Sequence, residues 1–404
     1  MSVTAVVTGM GVASPNGLGT KEFWSATLNG KSGLGRIQSF NPAPYPARLA
    51  GEILGFEARD HLPSRLIPQT DRMTRLALVA TEWALADSGV NTADMIESDM
   101  GVTTASSSGG FEFGQNELRK LWSLGSEHVS AYQSFAWFYA VNSGQISIRH
   151  RMKGPSSVIV SDQAGGLDAI AQARRQIRKG VRLVVSGAVD ASICPWGWVA
   201  QLAGGRLSTS EDPSTAYLPF DHRASGHVPG EGGAILVMEP AETARERGAT
   251  IYGEIAGYAS TFDPQPGSNR EPGLRRAMLS ALANAGMRAE DVGVVFADAS
   301  AIPELDRSEA EAINAVFGRG GVPVTAPKTM TGRLYSGAAP LDIAAALLCL
   351  RDGVIPPTVN VAPDTDLGLD LLGPEARAAS PRSAMVLARG HGGFNSAMVV
   401  RVPE

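Results

Sequence analysis

The chain has 404 residues, a formal net charge of −5 and a hydrophobic content of 44%. That length suits two or three domain-sized cores, and the apolar content argues against a disordered chain. The small negative charge gives no reason to expect a nucleic-acid partner or an anionic membrane surface.

The sequence contains no recognisable targeting segment and no cysteine framework. The first residues lack a basic region followed by an apolar core, and nowhere do about 18 apolar residues run together. We therefore expect a cytoplasmic protein. Cys194 and Cys349 lie far apart without a partner spacing, which predicts neither a disulfide framework nor a metal site.

Strands and helices alternate along the first half of the chain. The clearest element is a long helix that begins near Asp71 and stops at Gly89, because apolar residues recur there at helical spacing. The other predicted elements of this half are the strands Val3–Thr8, Met100–Thr104 and Leu183–Ser186 and the helices Lys21–Leu28 and Phe111–Leu121.

The same alternation continues beyond residue 250. The predicted strands are Ile251–Tyr258, Val292–Ala297, Val322–Thr325, Ala384–Leu387 and Ala397–Val402, and the predicted helices are Glu271–Ala285, Asp306–Phe317 and Ala338–Arg351. This pattern is typical of an α/β fold with largely parallel sheets. It predicts two similar halves, residues 1–249 and 250–404.

Four aromatic residues stand close together between two predicted elements. They are Phe135, Trp137, Phe138 and Tyr139. One face of a surface helix cannot hold so many, so the segment either crosses the core or is covered by another subunit. The sequence leaves both possibilities open.

Residues 158–170 read as a strand, a tight turn and a helix. A β-branched run ends at Ser161, and Gly165 opens an amphipathic helix. On such a turn the side chain of Gln163 would be exposed above the sheet, with backbone N–H groups pointing at it. Enzymes place nucleophilic cysteines in this setting, but a glutamine amide is neutral and a very poor nucleophile. The stretch predicts an acyl-transfer frame without its nucleophile, or else an ordinary capped helix.

A basic cluster ends the helix that follows the turn. Its members are Arg174, Arg175, Arg178 and Lys179. The charges either complement the helix dipole or form a docking surface for an acidic carrier domain.

Six short motifs, rich in glycine and turn residues, follow one another along the chain. They are Gly154-Pro155, Gly165–Ile170, Pro219–Asp221, Gly230–Gly232, Lys328–Gly332 and Gly392–Asn395. Together and in this order they resemble the ketosynthase branch of the thiolase-like condensing enzymes over essentially the full chain. The resemblance implies a thiolase-like fold, with two similar α/β halves in a five-layer α-β-α-β-α arrangement.

The resemblance also implies which residues a working ketosynthase of this kind would use. It would have a cysteine at the turn, two histidines and a nearby lysine. Here the cysteine position falls on Gln163, the histidine positions on Asp298 and Arg333, and only Lys328 is retained. Asp298 would put negative charge where negative charge develops in catalysis, and the loss of one such donor typically costs roughly 10²–10³-fold in rate. Of the histidines present, only His391 lies in a motif near the predicted site.

These losses favour one branch of the family. Some loading ketosynthases carry glutamine at the turn but keep both histidines, whereas Ser161–Gly166 is similar to the signature of the chain-length factors. Those are the ketosynthase beta subunits of bacterial type II aromatic polyketide synthases. The resemblance implies an obligate heterodimer with a catalytic ketosynthase alpha subunit, and it places the four aromatic residues at the subunit interface.

The resemblance further implies how the substrate is handled. A poly-β-ketone tethered to the phosphopantetheinyl arm of an acyl carrier protein would extend into a tunnel between the subunits, and no metal or organic cofactor of the chain is implied. The gating residues of the family lie on the helix that here carries Phe111, Gly114 and Leu118, which stand three and four residues apart and so share one face. Without the resemblance, the same face could simply be the core face of that helix. As a gate, a glycine and a leucine imply a deep pocket and a long chain.

Two acidic residues lie among the glycine motifs. Asp221 and Glu231 are expected to hold loop geometry rather than to take part in chemistry. Arg223 stands one place earlier than the arginine usual in ketosynthases, so that arginine's role is not assigned to it.

Two other functions remain open from the sequence. One is a malonyl-carrier decarboxylase or priming factor that acts through Gln163 and Lys328. The other is an active homodimeric acyltransferase that uses Cys194, although Cys194 does not lie on a strand–turn–helix pattern.

Overall fold

The computed structural model describes residues 3–265, 267–268 and 270–403. The strands are β1 (Ala5–Ser14), β2 (Gly17–Leu18), β3 (Leu34–Arg36), β4 (Leu49–Gly51), β5 (Met100–Ala105), β6 (Ser156–Ile159), β7 (Leu183–Asp190), β8 (Gly232–Pro240), β9 (Gly253–Phe262), β10 (Val294–Phe296), β11 (Pro323–Thr325), β12 (Val354–Ile355), β13 (Asp370–Leu371), β14 (Arg377–Ala378), β15 (Ser383–Arg389) and β16 (Phe394–Arg401).

The helices alternate with these strands, and short 3₁₀ turns complete several loops. The helices are α1 (Thr20–Leu28), α2 (Ala58–His61), α3 (Arg72–Ser88), α4 (Phe111–Leu124), α5 (Val141–His150), α6 (Gly165–Arg178), α7 (Pro195–Leu202), α8 (Ala241–Glu246), α9 (Gly273–Ala285), α10 (Pro303–Phe317) and α11 (Ala338–Asp352). Among the described residues, no helix combines the length and the apolar character needed to cross a membrane.

Sequence chemistry explains the best-predicted helix. Asp71 caps α3 by accepting a hydrogen bond from the backbone N–H of Met73 at 2.8 Å. Gly89 ends the helix in the left-handed conformation, with φ of 68°, which glycine adopts without steric cost. Both predicted boundaries of this helix are therefore confirmed. The sequence analysis did not identify α5 and α7.

A 12-stranded sheet runs through the chain in the order β13-β11-β10-β15-β16-β9-β1-β8-β7-β5-β6, with β2 attached to β1. Its two halves meet where β1 pairs with β9 through only Val6–Glu254 and Val7–Gly253. The strands at both ends pair in parallel, but β1, β7, β8, β9, β15 and β16 pair antiparallel. The prediction of largely parallel sheets is therefore wrong for the centre. There β15 and β16 form a hairpin and β1 pairs with strands distant in sequence, and neither arrangement is the strand–helix–strand unit that builds a parallel pair.

Helices cover both halves of the sheet and also lie between them. The helices α6 and α11 pack against strands of both halves, α3 and α5 cover the outer face of the first half, and α9 and α10 cover that of the second. Residues 338–350 of α11 are all buried, as expected for a helix that is apolar on every side and occupies the middle layer. The expected five-layer arrangement is confirmed, whereas the division at residues 249 and 250 stays a prediction.

The aromatic segment is divided between core and surface. The half-buried ring of Phe135 packs against the core cluster of the first half, as one alternative predicted. Trp137, Phe138 and Tyr139 remain 38–45% exposed, as a surface covered by another subunit would require.

Candidate functional site

The predicted strand–turn–helix is present and tightly folded. The turn joins β6 to α6, and Asp162 lies in it with φ of 51°, while its carboxylate accepts a hydrogen bond from the backbone N–H of His391 at 2.6 Å. A Cβ atom on Gly166 would lie 2.3 Å from Pro340 Cδ and 2.4 Å from the Ser336 carbonyl oxygen. Glycine is therefore required where α6 starts against the loop that precedes α11.

Gln163 lies at the base of a cavity, but its side chain is not exposed as the sequence predicted. Only 3% of the residue is accessible, and the turn is hydrogen-bonded to Asp298 and to the His391 backbone N–H. Its Nε2 donates a hydrogen bond to Asp298 Oδ1 at 3.1 Å. Gln163 thus contacts the residue at one of the two histidine positions directly.

Asp298 and Arg333 form a buried ion pair. Arg333 Nη1 lies 3.1 Å from Asp298 Oδ2 and donates to the Asp298 carbonyl oxygen at 2.8 Å, and Nη2 lies 3.2 Å from Asp298 Oδ1. Burial opposes ionisation of Asp298, but the charges of Arg333 and Lys328 and the backbone N–H of Arg389 outweigh it and lower the Asp298 pKa. Burial likewise favours the neutral form of Arg333, but the negative charge of Asp298 outweighs this effect and raises the Arg333 pKa. Both groups therefore stay charged, and neither is a general base near neutral pH.

The loop that carries Asp298 is held by two further carboxylates. Glu309 accepts hydrogen bonds from the backbone N–H groups of Asp298 and Ala299, at 2.7 and 2.9 Å. Asp306 accepts from the backbone N–H of Ala301 at 3.1 Å. Ala299 and Ala301 have φ of 52° and 56°, conformations that L-residues adopt only under such constraint. Burial, followed by the charge of Asp298, raises the Glu309 pKa to about 7.

Lys328 is occupied by contacts outside the cavity. Its Nζ lies 2.7 Å from Asp342 Oδ2 on α11 and donates a hydrogen bond to the Ala297 carbonyl oxygen. Burial raises the Asp342 pKa, although the Lys328 charge opposes that shift. Among the described residues that line the cavity, Lys328 does not occur. The retained lysine therefore supports the Asp298 loop.

The cavity above Gln163 has a volume of about 1140 Å³. Its lining includes His391, as the sequence predicted, and also His227, which the sequence analysis did not place there. Burial is the largest cause that lowers the His227 pKa to about 3, and the positive charge of Arg333 is the next, so the imidazole is neutral. Its Nδ1 has no hydrogen-bond partner among the described residues. No sequence pattern marked His227, because it reaches the cavity through a long-range contact: the carbonyl oxygen of the next residue, Val228, accepts the Arg333 backbone N–H at 2.9 Å.

Neither cysteine of the chain supplies a nucleophile to this cavity. Burial raises the thiol pKa of Cys194 to about 11 and that of Cys349 to about 12. Cys194 caps α7 by accepting a hydrogen bond from the Gly197 backbone N–H at 3.5 Å. The geometry therefore gives no support to an acyltransferase that uses Cys194. No group of acidic residues, histidines and cysteines among the described residues is arranged to hold a metal ion.

The side of α4 that carries Phe111, Gly114 and Leu118, here named the gate face, does not line the Gln163 cavity. The Phe111 ring lies edge-on to the Trp196 ring, with centroids 4.7 Å apart. A Cβ atom on Gly114 would lie 3.1 Å from Trp196 Cζ3 and 3.6 Å from Trp137 Cβ. Leu118 is 37% exposed and Trp196 43% exposed.

Trp196 is the member of this surface that the sequence analysis missed. It lies in the first turn of α7, and its backbone N–H donates to the Gln115 side chain of α4 at 2.7 Å. The available signal was the helix start at Cys194-Pro195, but the distance in sequence from α4 hid the contact.

Asp221 and Glu231 hold loops, as predicted. Glu231 accepts a hydrogen bond from the backbone N–H of Ile53 and pairs with Arg72, each at 2.8 Å. Asp221 accepts from the backbone N–H of Ala362 at 2.8 Å and pairs with Arg223. Burial opposes ionisation of Asp221, but Arg223 and these N–H groups outweigh it and lower the Asp221 pKa to about 2.

The basic cluster at the end of α6 is not a single surface. Arg174 is 5% exposed, and its guanidinium binds Asn284 Oδ1 at 2.7 Å and the Ala256 carbonyl oxygen. Arg175, Arg178 and Lys179 are exposed. The carrier-docking hypothesis can therefore include only these three residues, because Arg174 joins the two halves of the molecule.

Comparisons with known proteins agree with this geometry. The model of the beta-ketoacyl synthase N-terminal domain matches residues 4–244, and that of the beta-ketoacyl synthase C-terminal domain matches residues 252–362. The chain is 61% identical to the tetracenomycin polyketide synthase ketoacyl synthase beta subunit of Streptomyces glaucescens, over 98% of each chain.

Two solved structures resemble the chain over 100% of both chains. One is the ishigamide ketosynthase/chain length factor, with a TM-score of 0.90 and 26% identity. The other comes from a complex of a type II polyketide synthase acyl-carrier protein with its ketosynthase bound to a hexaketide, with a TM-score of 0.89 and 27% identity.

Proposed function

The chain belongs to the beta-ketoacyl synthase family, among the ketoacyl synthase beta subunits or chain-length factors, and we propose that it sets poly-β-ketone length in a type II polyketide synthase. It does so as the non-condensing partner of a catalytic ketosynthase alpha subunit. The observation that carries the proposal is the contact among Gln163, Asp298 and Arg333, which fills the catalytic positions with an amide and a charge-neutralised pair.

The occupied positions explain why the chain needs a catalytic partner. A condensing site requires a nucleophile, a group that removes or donates protons, and donors for the developing oxyanion. Gln163 has no thiol, and the pair of Asp298 and Arg333 is kept ionised. Because the groups of one catalytic unit fail together, replacing a single residue would not restore activity.

The surface of the chain suits a partner of similar size. Trp137, Phe138, Tyr139 and Trp196 expose large aromatic groups, the residue type enriched at the centre of protein interfaces. The strand β6 stands at one end of the sheet, and Val160, directly after it, is 49% exposed. An apolar strand at the edge of a sheet is a ready site for another chain. These features support a heterodimer with the alpha subunit.

The gate face supplies the means of length control. A growing chain that enters between the subunits is stopped by whatever side chain limits the depth of the shared cavity. Gly114 adds no side chain to this face, and the Trp196 ring fills the space beside it, since a Cβ atom on Gly114 would lie 3.1 Å from that ring, closer than ordinary van der Waals contact. We therefore assign Phe111, Gly114 and Leu118 to the gate of a deep tunnel.

The substrate would reach the tunnel on an acyl carrier protein. One of the solved structures similar to this chain comes from a complex with such a carrier. The phosphopantetheinyl arm belongs to the carrier, and the proposal requires no metal or organic cofactor of the chain itself. Arg175, Arg178 and Lys179 are the exposed candidates for contact with an acidic carrier, and a cytoplasmic location remains a prediction.

Purification of the chain alone and together with its ketosynthase alpha subunit tests the proposal. We expect a stable one-to-one complex that makes polyketide from malonyl-carrier, and no turnover by the lone chain. If the chain forms no complex with the alpha subunit, or if the alpha subunit alone makes product of the same length, the proposal is wrong.

One observation favours a second candidate, a malonyl-carrier decarboxylase that primes synthesis. The cavity of about 1140 Å³ is retained above Gln163, although the catalytic groups are replaced. Conversion of malonyl-carrier to acetyl-carrier by the lone chain, abolished by Gln163→Ala, would establish this function. No conversion above the rate without protein would exclude it.

A further inference from the structure

The helix that carries the gate face begins without a cap of its own. Gly110 occupies the capping position of α4 and has no side chain to accept the free N–H groups of the first turn. The N–H of Phe113, the third residue of the helix, is instead accepted by Asp71 Oδ2 at 2.8 Å. Asp71 belongs to the start of α3, far away in sequence.

The same carboxylate caps two helices. Its other oxygen, Oδ1, accepts the backbone N–H of Met73 at 2.8 Å and so caps α3. Asp71 is 1% exposed, so water cannot replace either bond. A single buried side chain therefore fixes the start of α4 relative to α3, and α3 packs on β1 and β8 of the sheet.

Close packing leaves the first turn of α4 little room to move away from Asp71. A Cβ atom on Gly110 would lie 2.9 Å from Asp71 Cβ and 2.3 Å from the Ala136 carbonyl oxygen, so glycine lets the helix start directly against both. The loop just before it is held by Asp190, which accepts the Ser107 backbone N–H at 3.0 Å. Carboxylates from other elements thus determine where the gate helix begins.

We propose that Asp71 is a positioning residue for chain-length control, because its bond to Phe113 holds Gly114 at a fixed depth against Trp196. The inference rests on the proposed function of the gate face. Gly114 follows Phe113 directly, so a shift of the first turn moves the gate itself. Loss of the bond would loosen the stopping point and broaden the distribution of product lengths.

The charge state of Asp71 offers an independent readout. Burial raises its pKa to about 7, while the N–H groups of Phe113 and Met73 and the charge of Arg75 oppose that shift and Glu112 adds to it. The thiol of Cys194, on the neighbouring α7, stays protonated. The ionised carboxylate accepts both N–H groups in charge-assisted bonds, whereas the protonated carboxyl is neutral and is a weaker acceptor toward both. The bond to Phe113 should therefore weaken as the pH falls from 8 to 6.

The test is Asp71→Asn in the complex with the alpha subunit, with Asp87→Asn as the matched control. Asp87 lies near the other end of α3 and likewise accepts a backbone N–H from another element, that of Met10 at 2.8 Å. The measurements are the ratio of main to off-length polyketide at pH 8 and the hydrogen exchange of residues 106–124. In Asp71→Asn, but not in the control, we expect the ratio of main to off-length polyketide to fall about fivefold and the hydrogen exchange of residues 106–124 to rise, as for a lost helix cap.

Each outcome decides the inference. An intact Asp71→Asn complex with unchanged product ratio overturns it. If the variant forms no complex, the pH profile of the wild-type complex is the test. Off-length product should rise from pH 8 to pH 6 with a midpoint near pH 7. A flat profile overturns the inference. If Gly114→Phe changes product length but Asp71→Asn does not, only this inference fails; if neither does, the proposed gate fails as well.

Discussion

The cavity above Gln163 and the gate face differ in how completely their groups are satisfied. In the cavity, Asp298 is bound by Gln163, Arg333 and the Arg389 backbone, and every one of these contacts lies within the chain. On the gate face, Phe111 and Trp196 contact each other but leave much of their apolar surface to solvent. Asp298 is therefore paired within one chain, whereas the gate face leaves apolar surface for a second chain to bury.

The difference indicates where the function lies. A buried charge needs a counter-ion, and in the cavity Asp298 and Arg333 supply one to each other. The exposed aromatic surface has no comparable structural reason, because large apolar groups at the surface of a soluble chain mark an interaction site. We therefore propose a structural role for the ion pair in the cavity and a role in length control for the gate face.

The largest expected effect comes from breaking the ion pair in the cavity. Asp298→Ala leaves Arg333 buried without its counter-ion and should lower the free energy of unfolding by about 3–5 kcal/mol. Denaturant unfolding of the purified complex measures this loss. The control is Glu290→Ala, which removes an exposed partner of Arg288 and should have little effect. A change for Asp298→Ala no larger than for the control would show that the pair does not stabilise the cavity.

Trp196→Ala tests the other side of the comparison. Removal of the ring enlarges the space beside Gly114, so the paired complex should make polyketides longer by at least one two-carbon unit. Mass spectrometry of the products measures the shift. Trp122→Ala, which removes an 84% exposed ring from α4, the helix that carries Gly114, is the control for general loss of aromatic surface. Equal effects of the two substitutions would mean that Trp196 has no special place in the gate.

A smaller effect is expected from Gln163→Ala. It removes one buried hydrogen bond to Asp298 and should lower the free energy of unfolding by about 1–2 kcal/mol, because Arg333 and the Arg389 N–H still bind the carboxylate. Polyketide yield and length should not change in the paired complex. A fall of tenfold or more in the rate of priming, with the complex intact, would instead give Gln163 a chemical role.

Local sequence signals predicted much of the fold. Asp71 and Gly89 mark both ends of α3, and the β-branched run before Gly165 marks the turn at Gln163, because caps and turns depend on neighbouring residues. The antiparallel centre of the sheet was not predictable in this way. Its pairings, such as β1 with β8, join residues far apart in sequence.

The candidate site shows the same contrast between local signals, which the sequence reveals, and long-range contacts, which it does not. The residues at the catalytic positions were identified from the motifs, but their contacts were not, since burial of Gln163 depends on loops from the second half. The pairing of Trp196 with Phe111 and the burial of Arg174 against β9 are likewise long-range. Sequence therefore indicated which residues matter, and only the structure indicates which of them touch.

The most direct test of the central claim is the product length of the reconstituted complex with Gly114→Phe. The added ring must occupy the space beside Trp196, so the tunnel becomes shallower and the polyketide shorter. Gly373→Phe is the control, because a Cβ atom there would meet no other atom within 4 Å. We predict a shorter product for Gly114→Phe alone. An intact Gly114→Phe complex that makes product of unchanged length would contradict the account.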